Sequence, residues 1–231
     1  MSETDVITSV EPETRGAGAL RVHVNGRSFC TIPTAFAQEL ALRPGMVLDE
    51  SLRARLGEAA DAQAAYRFIL AALGRRGFAR RDLERRLVHH GHPREAARAA
   101  VARATAAGLL DDRQYAIAYV QVKSARGRGP ARLLRDLSAM GVERDIAEAA
   151  VAATWDDEDR VAAAAQALAQ KRAAQLGALP RPAKRRRLLA YLARRGFTGQ
   201  PVRALVTRVL GAENQGLRRE VKSLVGSKPM R

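Results

Sequence analysis

Cysteine and aromatic residues are scarce in this sequence. Cys30 is the only cysteine in 231 residues, which excludes an intramolecular disulfide and any metal site built from several cysteines. Ten aromatic residues provide little material for a base-stacking platform. No run of 18 apolar residues is present, and the first twenty residues lack the basic start and apolar core of a secretory signal. A cytoplasmic protein with no membrane partner is predicted.

Acidic residues are few relative to basic ones. The chain has 40 Lys and Arg against 24 Asp and Glu, a formal net charge of +16. Residues 1–60 hold six basic and eight acidic side chains, whereas the remainder holds 34 basic and 16 acidic. The positive charge therefore belongs to the C-terminal three quarters. It favours a polyanionic partner, such as nucleic acid or an acidic protein surface.

The N-terminal quarter has the pattern of a β-hairpin. The segment LRVHV alternates apolar and polar residues and is followed by Asn25 and Gly26, a pair typical of a tight hairpin turn. A short helix is predicted over TAFAQELAL, which follows the second strand. We expect a small hairpin-containing unit over residues 19–55, preceded by a flexible N-terminus over residues 1–18.

The rest of the chain repeats with a period near 50 residues. When Gly91, Gly141 and Gly196 are aligned, each copy has leucines eight and four positions earlier and a valine ten positions later. Such a period predicts a supersecondary unit of three short helices. Leucines four positions apart lie on one helix face, so we expect them in the core.

The predicted fold is mainly α, an elongated array of three tandem three-helix repeats with a small N-terminal β-hairpin unit. The predicted boundaries are residues 56–110 for repeat 1, 111–155 for repeat 2, 156–211 for repeat 3, and 212–231 for a basic, flexible tail.

Repeat 2 has the clearest local signals. Asp111 and Asp112 are expected to cap its first helix. Tyr115, Tyr119 and Val122 then recur at helical spacing on one face, which predicts that this face is turned to the core. Trp155 is also expected in the core.

Residues 108–142, with the sequence GLLDDRQYAIAYVQVKSARGRGPARLLRDLSAMGV, resemble the signature of the RecX family of bacterial recombinase regulators. The resemblance is carried by the Gly-Leu-Leu-Asp-Asp segment and by Tyr115, Ala116, Tyr119, Lys123, Gly127, Gly129, Leu137 and Gly141. Tyr115 stands where phenylalanine is more usual, and Lys123 where arginine is common. The resemblance extends over residues 61 to about 210 and fades in repeat 3.

The resemblance implies a regulatory protein without catalysis of its own. It implies binding to the RecA recombinase and to its filament on single-stranded DNA, with DNA contact direct or through the filament. It further implies restraint of filament growth, ATP hydrolysis and strand exchange, and a role in recombination, DNA repair and the SOS response. We expect a monomer with no cofactor. The sequence has no Walker-type phosphate loop, so any effect on ATP hydrolysis would be exerted through the partner.

Two basic clusters are the candidate partner-binding residues. They flank equivalent inter-helix turns and comprise Arg75, Arg76, Arg80 and Arg81 in repeat 1, and Lys123, Arg126, Arg128, Arg132 and Arg135 in repeat 2. Stacked repeats would align these turns in a basic strip able to follow a phosphate backbone or an acidic groove. The alternative is an ordinary solvated surface. Repeat 3 adds the basic run from Lys184 to Arg187, which exceeds what the signature requires.

The sequence contains no recognisable catalytic or metal-binding constellation. His89 and His90 are adjacent and point to different sides of a helix, while Glu95 lies beyond a proline in the next helix. A metal site is therefore not predicted. The main alternative function is a DNA-architectural or helix-turn-helix DNA-binding protein that acts without RecA.

Overall fold

The computed structural model describes residues 4–14 and 18–225, with side chains to residue 212. Residues 1–3, 15–17 and 226–231, which belong to the predicted flexible N-terminus and basic tail, lie outside this part. The described chain is mainly helical with one small antiparallel sheet, which confirms the predicted fold class. Its elements are β1 (Ile7–Pro12), β2 (Ala19–Val24), β3 (Arg27–Pro33), α1 (Thr34–Glu39), α2 (Glu50–Leu73), α3 (Arg80–His89), α4 (Arg94–Ala106), α5 (Asp112–Ala125), α6 (Pro130–Ala139), α7 (Arg144–Ala152), α8 (Glu158–Ala174), α9 (Arg181–Arg195) and α10 (Gln200–Val225). The chain divides into two compact units, Met1–Tyr115 and Ala116–Arg231.

The predicted hairpin is formed by β2 and β3 in the first unit. Its two turn residues have positive φ, 48° at Asn25 and 76° at Gly26, as a tight turn between right-handed twisted strands requires. Val22 and Val24 of β2 and Ile32 of β3 are buried on the face that packs against α2. The alternation in the sequence therefore identified the buried face of the sheet.

The prediction of a flexible N-terminus is wrong for residues 7–12, which form β1 and pair with β2. A bulge shifts the register between Ile7 and Ser9, so that Ile7 pairs with Val24 and Val10 with Val22. Apolar residues that face the sheet core are consequently three positions apart instead of two. Because of the bulge, the sequence of β1 lacks the regular apolar–polar alternation by which a strand is predicted.

Helix α2 begins at Glu50, before the predicted start of repeat 1 at residue 56. Asp49 caps it through a hydrogen bond in which Leu52 N–H donates to the Asp49 carboxylate at 2.7 Å. The predicted boundary between residues 55 and 56 falls inside this helix. Leu56 from its first turns is buried in the sheet core, while Ile69 near its end is buried with α3 and α4. One continuous helix thus serves both the sheet and the first three-helix group.

The leucines and glycines of the three predicted copies occupy equivalent places. Leu83 and Leu87 in the first unit, and Leu133, Leu137, Leu188 and Leu192 in the second, are all 0% exposed. The glycines that close α3, α6 and α9 have φ of 90°, 81° and 92° at Gly91, Gly141 and Gly196. Only glycine adopts this conformation without strain, and it lets the third helix of each group fold back.

Two further predictions need correction. In α5 the buried positions are Asp112, Ala116 and Val120, whereas Val122 is 51% exposed and Tyr115 and Tyr119 are half-buried. The buried face of α5 is therefore not the predicted one. Asp112, Ala116 and Val120 line it, and Tyr115, Tyr119 and Val122 do not. Trp155 is half-buried instead of fully buried, and it packs against the core of the second unit, edge to face with Phe197.

The predicted flexible tail is wrong for residues 212–225. Helix α10 runs without interruption from Gln200 to Val225. Gly211, at the predicted end of repeat 3, lies inside this helix, because a glycine inside a helix lowers stability by only about 1 kcal/mol and does not by itself terminate it.

Candidate functional site

In the first unit, the predicted basic residues surround the turn that joins α2 to α3. This α2–α3 corner comprises Arg75, Arg76, Arg80 and Arg81. Arg75 and Arg81 are exposed and form no ion pair within the described residues. The guanidinium carbon of Arg76 lies 3.8 Å from the centre of the Phe78 ring, a cation–π contact that fixes the arginine side chain over the turn.

Arg80 is held by Asp112, 32 residues later in the chain. The Asp112 carboxylate accepts hydrogen bonds from the Arg80 backbone N–H at 2.8 Å and from Arg80 Nε at 3.0 Å, and its side chain is only 3% exposed. Asp112 therefore caps α3, not α5. The predicted capping of α5 is provided by Asp111 alone, which accepts from the backbone N–H groups of Arg113 and Gln114.

Tyr115 completes the α2–α3 corner. Burial raises the pKa of its hydroxyl, and the guanidinium of Arg76 opposes part of that shift. A side-chain Cβ at Gly77 would lie 3.4 Å from the Tyr115 ring, so glycine leaves room for the ring beside the turn.

In the second unit, the predicted basic residues surround the turn that joins α5 to α6. This α5–α6 corner comprises Lys123, Arg126, Arg128, Arg132 and Arg135, and its centre is a carboxylate that was not among the predicted site residues, Asp136. Arg132 Nε donates to Asp136 at 2.8 Å, and Arg128 forms a second ion pair with the same carboxylate. The Asp136 side chain is 13% exposed, so both guanidiniums are held against a largely buried anion.

Tyr119 connects Arg128 to Asp136 within the α5–α6 corner. Arg128 Nη1 donates to the Tyr119 hydroxyl oxygen at 2.8 Å, and that hydroxyl donates to Asp136 at 3.2 Å. The ammonium of Lys123 lies 5.5 Å from the centre of the Tyr119 ring. The aromatic residue expected in the core is thus part of the basic cluster, where its polar tip orients an arginine.

Arg126 and Arg135 are the exposed members of the α5–α6 corner. Neither forms an ion pair within the described residues, and Arg135 Nε donates only to the carbonyl oxygen of Ala131 in its own helix. The corner therefore combines two arginines fixed by Asp136 with two cations directed to solvent. The corner contains five cationic side chains and a single carboxylate, so its net charge is strongly positive.

The end of α9 holds the α5–α6 corner in place. Gly129 N–H donates to the Arg195 carbonyl oxygen at 2.7 Å, and Ala131 N–H donates to that of Gly196 at 3.3 Å. Arg195 Nη1 in turn donates to the carbonyl oxygens of Arg126 at 3.0 Å and Gly127 at 3.3 Å. These bonds satisfy backbone groups at the end of α5 and the start of α6 that have no partner within their own helices. Arg195 was missed in the sequence because its role depends on a contact about 68 residues away.

The histidines at the end of α3 lie beside an aromatic ring. The ring centres of His90 and His92 are 4.8 Å and 5.9 Å from that of Phe68. Within the described residues, no group of three or more His, Cys, Asp or Glu side chains has metal-binding geometry. Helices long and apolar enough to cross a membrane are likewise not found in this part of the chain.

Comparison with protein families matches two parts of this chain. Residues 111–151 match the family model of the second three-helix domain of RecX, and residues 158–206 match that of the third. The first match contains the whole α5–α6 corner, and the second contains α9.

Individual proteins and structures give the same picture. A regulatory protein RecX from Xanthomonas oryzae pv. oryzae is 35% identical over 135 residues, which cover 58% of this chain and 82% of that protein. One from Stenotrophomonas maltophilia is 37% identical over 136 residues, covering 58% and 80%. A crystal structure of a regulatory protein RecX has the same fold, with a TM-score of 0.71 at 21% identity over 88% of this chain and 99% of that one. RecX from Lactobacillus salivarius gives a TM-score of 0.54 at 20% identity over 64% and 96%.

Proposed function

This chain belongs to the RecX family of regulatory proteins, and on that premise we propose that it binds the RecA recombinase and its filament on single-stranded DNA. The α5–α6 corner is the main contact, and the α2–α3 corner is a second one. Binding restrains filament growth, and with it ATP hydrolysis and strand exchange. The protein acts in the cytoplasm as a monomer and contributes no catalytic group of its own.

The arrangement of Arg128 and Arg132 around Asp136 carries this proposal. Two guanidiniums held by one largely buried carboxylate are already ordered, so a partner does not have to immobilise them. Their side chains are still 35% and 44% exposed and have donors left for a second acceptor. Fixed planar guanidiniums suit carboxylates at defined positions on a protein surface, because the pairing can be bidentate.

The test replaces only the cations that are not engaged with Asp136. Arg126→Glu with Arg135→Glu should weaken inhibition of the RecA ATPase on single-stranded DNA and reduce recovery of RecA after nuclease treatment. Reversal of Arg128 or Arg132 is a poorer probe, because it would place a second carboxylate beside Asp136 and destabilise the corner. Arg75→Glu with Arg81→Glu tests the α2–α3 corner in the same assays.

A matched control is Arg27→Glu with Arg43→Glu. Both residues are exposed in the N-terminal unit, and the double substitution changes the net charge by the same amount. It should leave RecA binding unchanged. An unmodified chain that recovers no RecA after nuclease treatment would overturn the proposal and favour a DNA-architectural or helix-turn-helix protein that acts without RecA. Equal losses in the control and the corner variants would show that only the total charge matters.

A further inference from the structure

Helix α9 in the second unit has an unusual charge composition. Seven of its fifteen residues are basic and none is acidic. Five of the seven are exposed arginines, namely Arg181, Arg185, Arg186, Arg187 and Arg194. None of these five forms an ion pair within the described residues. Like charges three and four positions apart destabilise a helix, so these five arginines do not stabilise α9 through their charge.

The exposed side of α9 has a defined pattern. Leu188 and Leu192 are buried on one side of the helix. On the opposite side, Arg186, Arg187, Ala190, Ala193 and Arg194 are all exposed. We call these five residues the α9 outer face. Two alanines lie between the arginines near its ends, so an extended partner can approach the helix backbone closely between cations.

We propose that the α9 outer face binds the sugar-phosphate backbone of duplex DNA without reading its base sequence. This contact is separate from the two corners and does not depend on RecA. It would attach the regulator to double-stranded DNA while the α5–α6 corner remains available for a protein partner.

The density of charge along α9 fits a regular polyanion. The α9 outer face has three arginines between positions 186 and 194, about 12 Å of helix, which corresponds to about one cation per 4 Å. Each strand of a DNA duplex presents one phosphate per about 3.4 Å of its axis. Arg187 and Arg194 are seven residues apart, about 10 Å along the helix, a distance that spans about three phosphates of one strand.

The way the arginines are held separates this surface from the α5–α6 corner. At the corner, Asp136 fixes two guanidiniums in one geometry, which suits discrete carboxylates on a protein. On the α9 outer face no carboxylate of the described chain fixes the arginines. Side chains free to choose their rotamers can follow a row of phosphates in any register, and this is the requirement for sequence-independent binding.

Aromatic residues decide between duplex and single-stranded DNA. Surfaces for single strands combine cations with exposed rings on which bases stack. The only aromatic residue of α9 is Tyr191, which is half-buried and already contacts two guanidiniums, those of Arg172 at 5.7 Å and Arg195 at 5.0 Å from the ring centre. The α9 outer face thus offers cations but no stacking ring, which favours duplex DNA.

The test uses the full chain and a fluorescent 30-base-pair duplex of mixed sequence, without RecA. Arg186→Gln, Arg187→Gln and Arg194→Gln are combined, since glutamine removes the charge and has a helix propensity close to that of arginine. Fluorescence anisotropy measures duplex affinity from 50 to 200 mM salt. Three lost phosphate contacts should reduce the salt slope by about 3. Over this salt range the affinity of the unmodified chain should fall about 40-fold more than that of the variant.

The matched control combines Arg27→Gln, Arg43→Gln and Arg94→Gln. These arginines are also exposed and form no ion pair within the described residues, and the net charge falls by the same three units. The control should keep the salt slope of the unmodified chain. Arg186→Lys, Arg187→Lys and Arg194→Lys, combined, keep the three charges and should keep the slope of the unmodified chain.

Several results would overturn the proposal. One is a salt slope that is unchanged in the α9 variant, and another is an equal reduction of the slope in the control. A third is a loss of affinity for a single-stranded 30-nucleotide oligothymidine with no loss of affinity for the duplex. If the α9 variant recovers less RecA but still binds the duplex, the α9 outer face is a protein contact and not a DNA contact. If the triple variant fails to fold, Ala190→Glu places a carboxylate at the centre of the face and should weaken duplex binding with every arginine retained. Failure of the RecA proposal would appear in the ATPase assay and leave these duplex measurements unaffected.

Discussion

Gly129 and Gly196 meet backbone to backbone. A Cβ added to Gly129 would lie 2.9 Å from the carbonyl oxygen of Gly196, and one added to Gly196 would lie 2.3 Å from the backbone nitrogen of Arg132. This approach lets the last carbonyl groups of α9 accept hydrogen bonds from the first N–H groups of α6. The two positions therefore require glycine for space, and Gly196 requires it also for its φ of 92°.

Gly196→Ala should destabilise the protein. Alanine in the left-handed conformation costs about 1 to 2 kcal/mol, and the added Cβ must also displace the start of α6. We expect a loss of more than about 2 kcal/mol in the free energy of unfolding, measured by urea denaturation.

Gly211→Ala is the control for that measurement. Gly211 lies inside α10 with no atom within 4 Å of an added Cβ, so alanine should stabilise the helix by about 0.5 to 1 kcal/mol. Opposite signs for the two glycines are expected. A neutral Gly196→Ala would show that the contact between α6 and α9 does not hold the corner.

Leu137→Ala should lower the free energy of unfolding by about 2 to 5 kcal/mol, because Leu137 is 0% exposed and its truncation leaves a cavity. Val122→Ala is the contrast, since Val122 is 51% exposed although its spacing suggested the core. It should change stability by less than about 0.5 kcal/mol. Urea midpoints measure both, and equal effects would contradict the burial of Leu137 or the exposure of Val122.

Asp112→Ala should destabilise α3 although the substitution lies in α5. It removes the acceptor of the Arg80 backbone N–H and of its Nε, a loss of about 1 to 3 kcal/mol. Asp112→Asn should cost less, because its amide oxygen can still accept from the backbone N–H. Hydrogen exchange of the Arg80 amide would report the lost cap directly. The exposed Asp145→Ala should leave that amide unchanged.

Cys30 should react slowly with thiol reagents. Burial raises the pKa of its thiol to about 11, so at pH 8 the thiolate fraction is about 100-fold smaller than in an unburied cysteine. Because the folded state keeps the proton longer than the unfolded state, the stability from the buried thiol is present below about pH 9 and is lost towards pH 11. Reaction with a disulfide reagent with and without urea measures the difference. Equal rates in both would contradict it.

The helical part of the fold was predictable because its main signals are local. Columns such as Leu133 and Leu137 are buried on one stripe of a helix, and the glycine that follows, Gly141, has the positive φ that ends it. Spacing and composition encode both features without reference to distant parts of the chain. The hairpin turn at Asn25 and Gly26 was predictable for the same reason.

The features that the sequence did not reveal depend on distant contacts. Asp112 caps a helix that begins 32 residues earlier, and Arg195 binds carbonyl groups 68 and 69 residues away. Nothing in the neighbouring residues distinguishes them from an ordinary cap and an ordinary surface arginine. Asp136 had a local signal, its spacing of four from Arg132, but spacing alone does not show that the carboxylate is largely buried and shared with Arg128.

Position 129 is a helix N-cap without a capping side chain. Pro130 has no N–H, and the neighbouring amides find their acceptors on α9 instead of on a serine, threonine or aspartate. The end of α9, in the third repeat, thus supplies the hydrogen-bond acceptors that a capping hydroxyl or carboxylate supplies at the start of most helices. A chain shortened to end before Arg181 would leave the amides of Gly129 and Ala131 to water, and replacing Gly129 by serine or aspartate would become favourable only in such a shortened form.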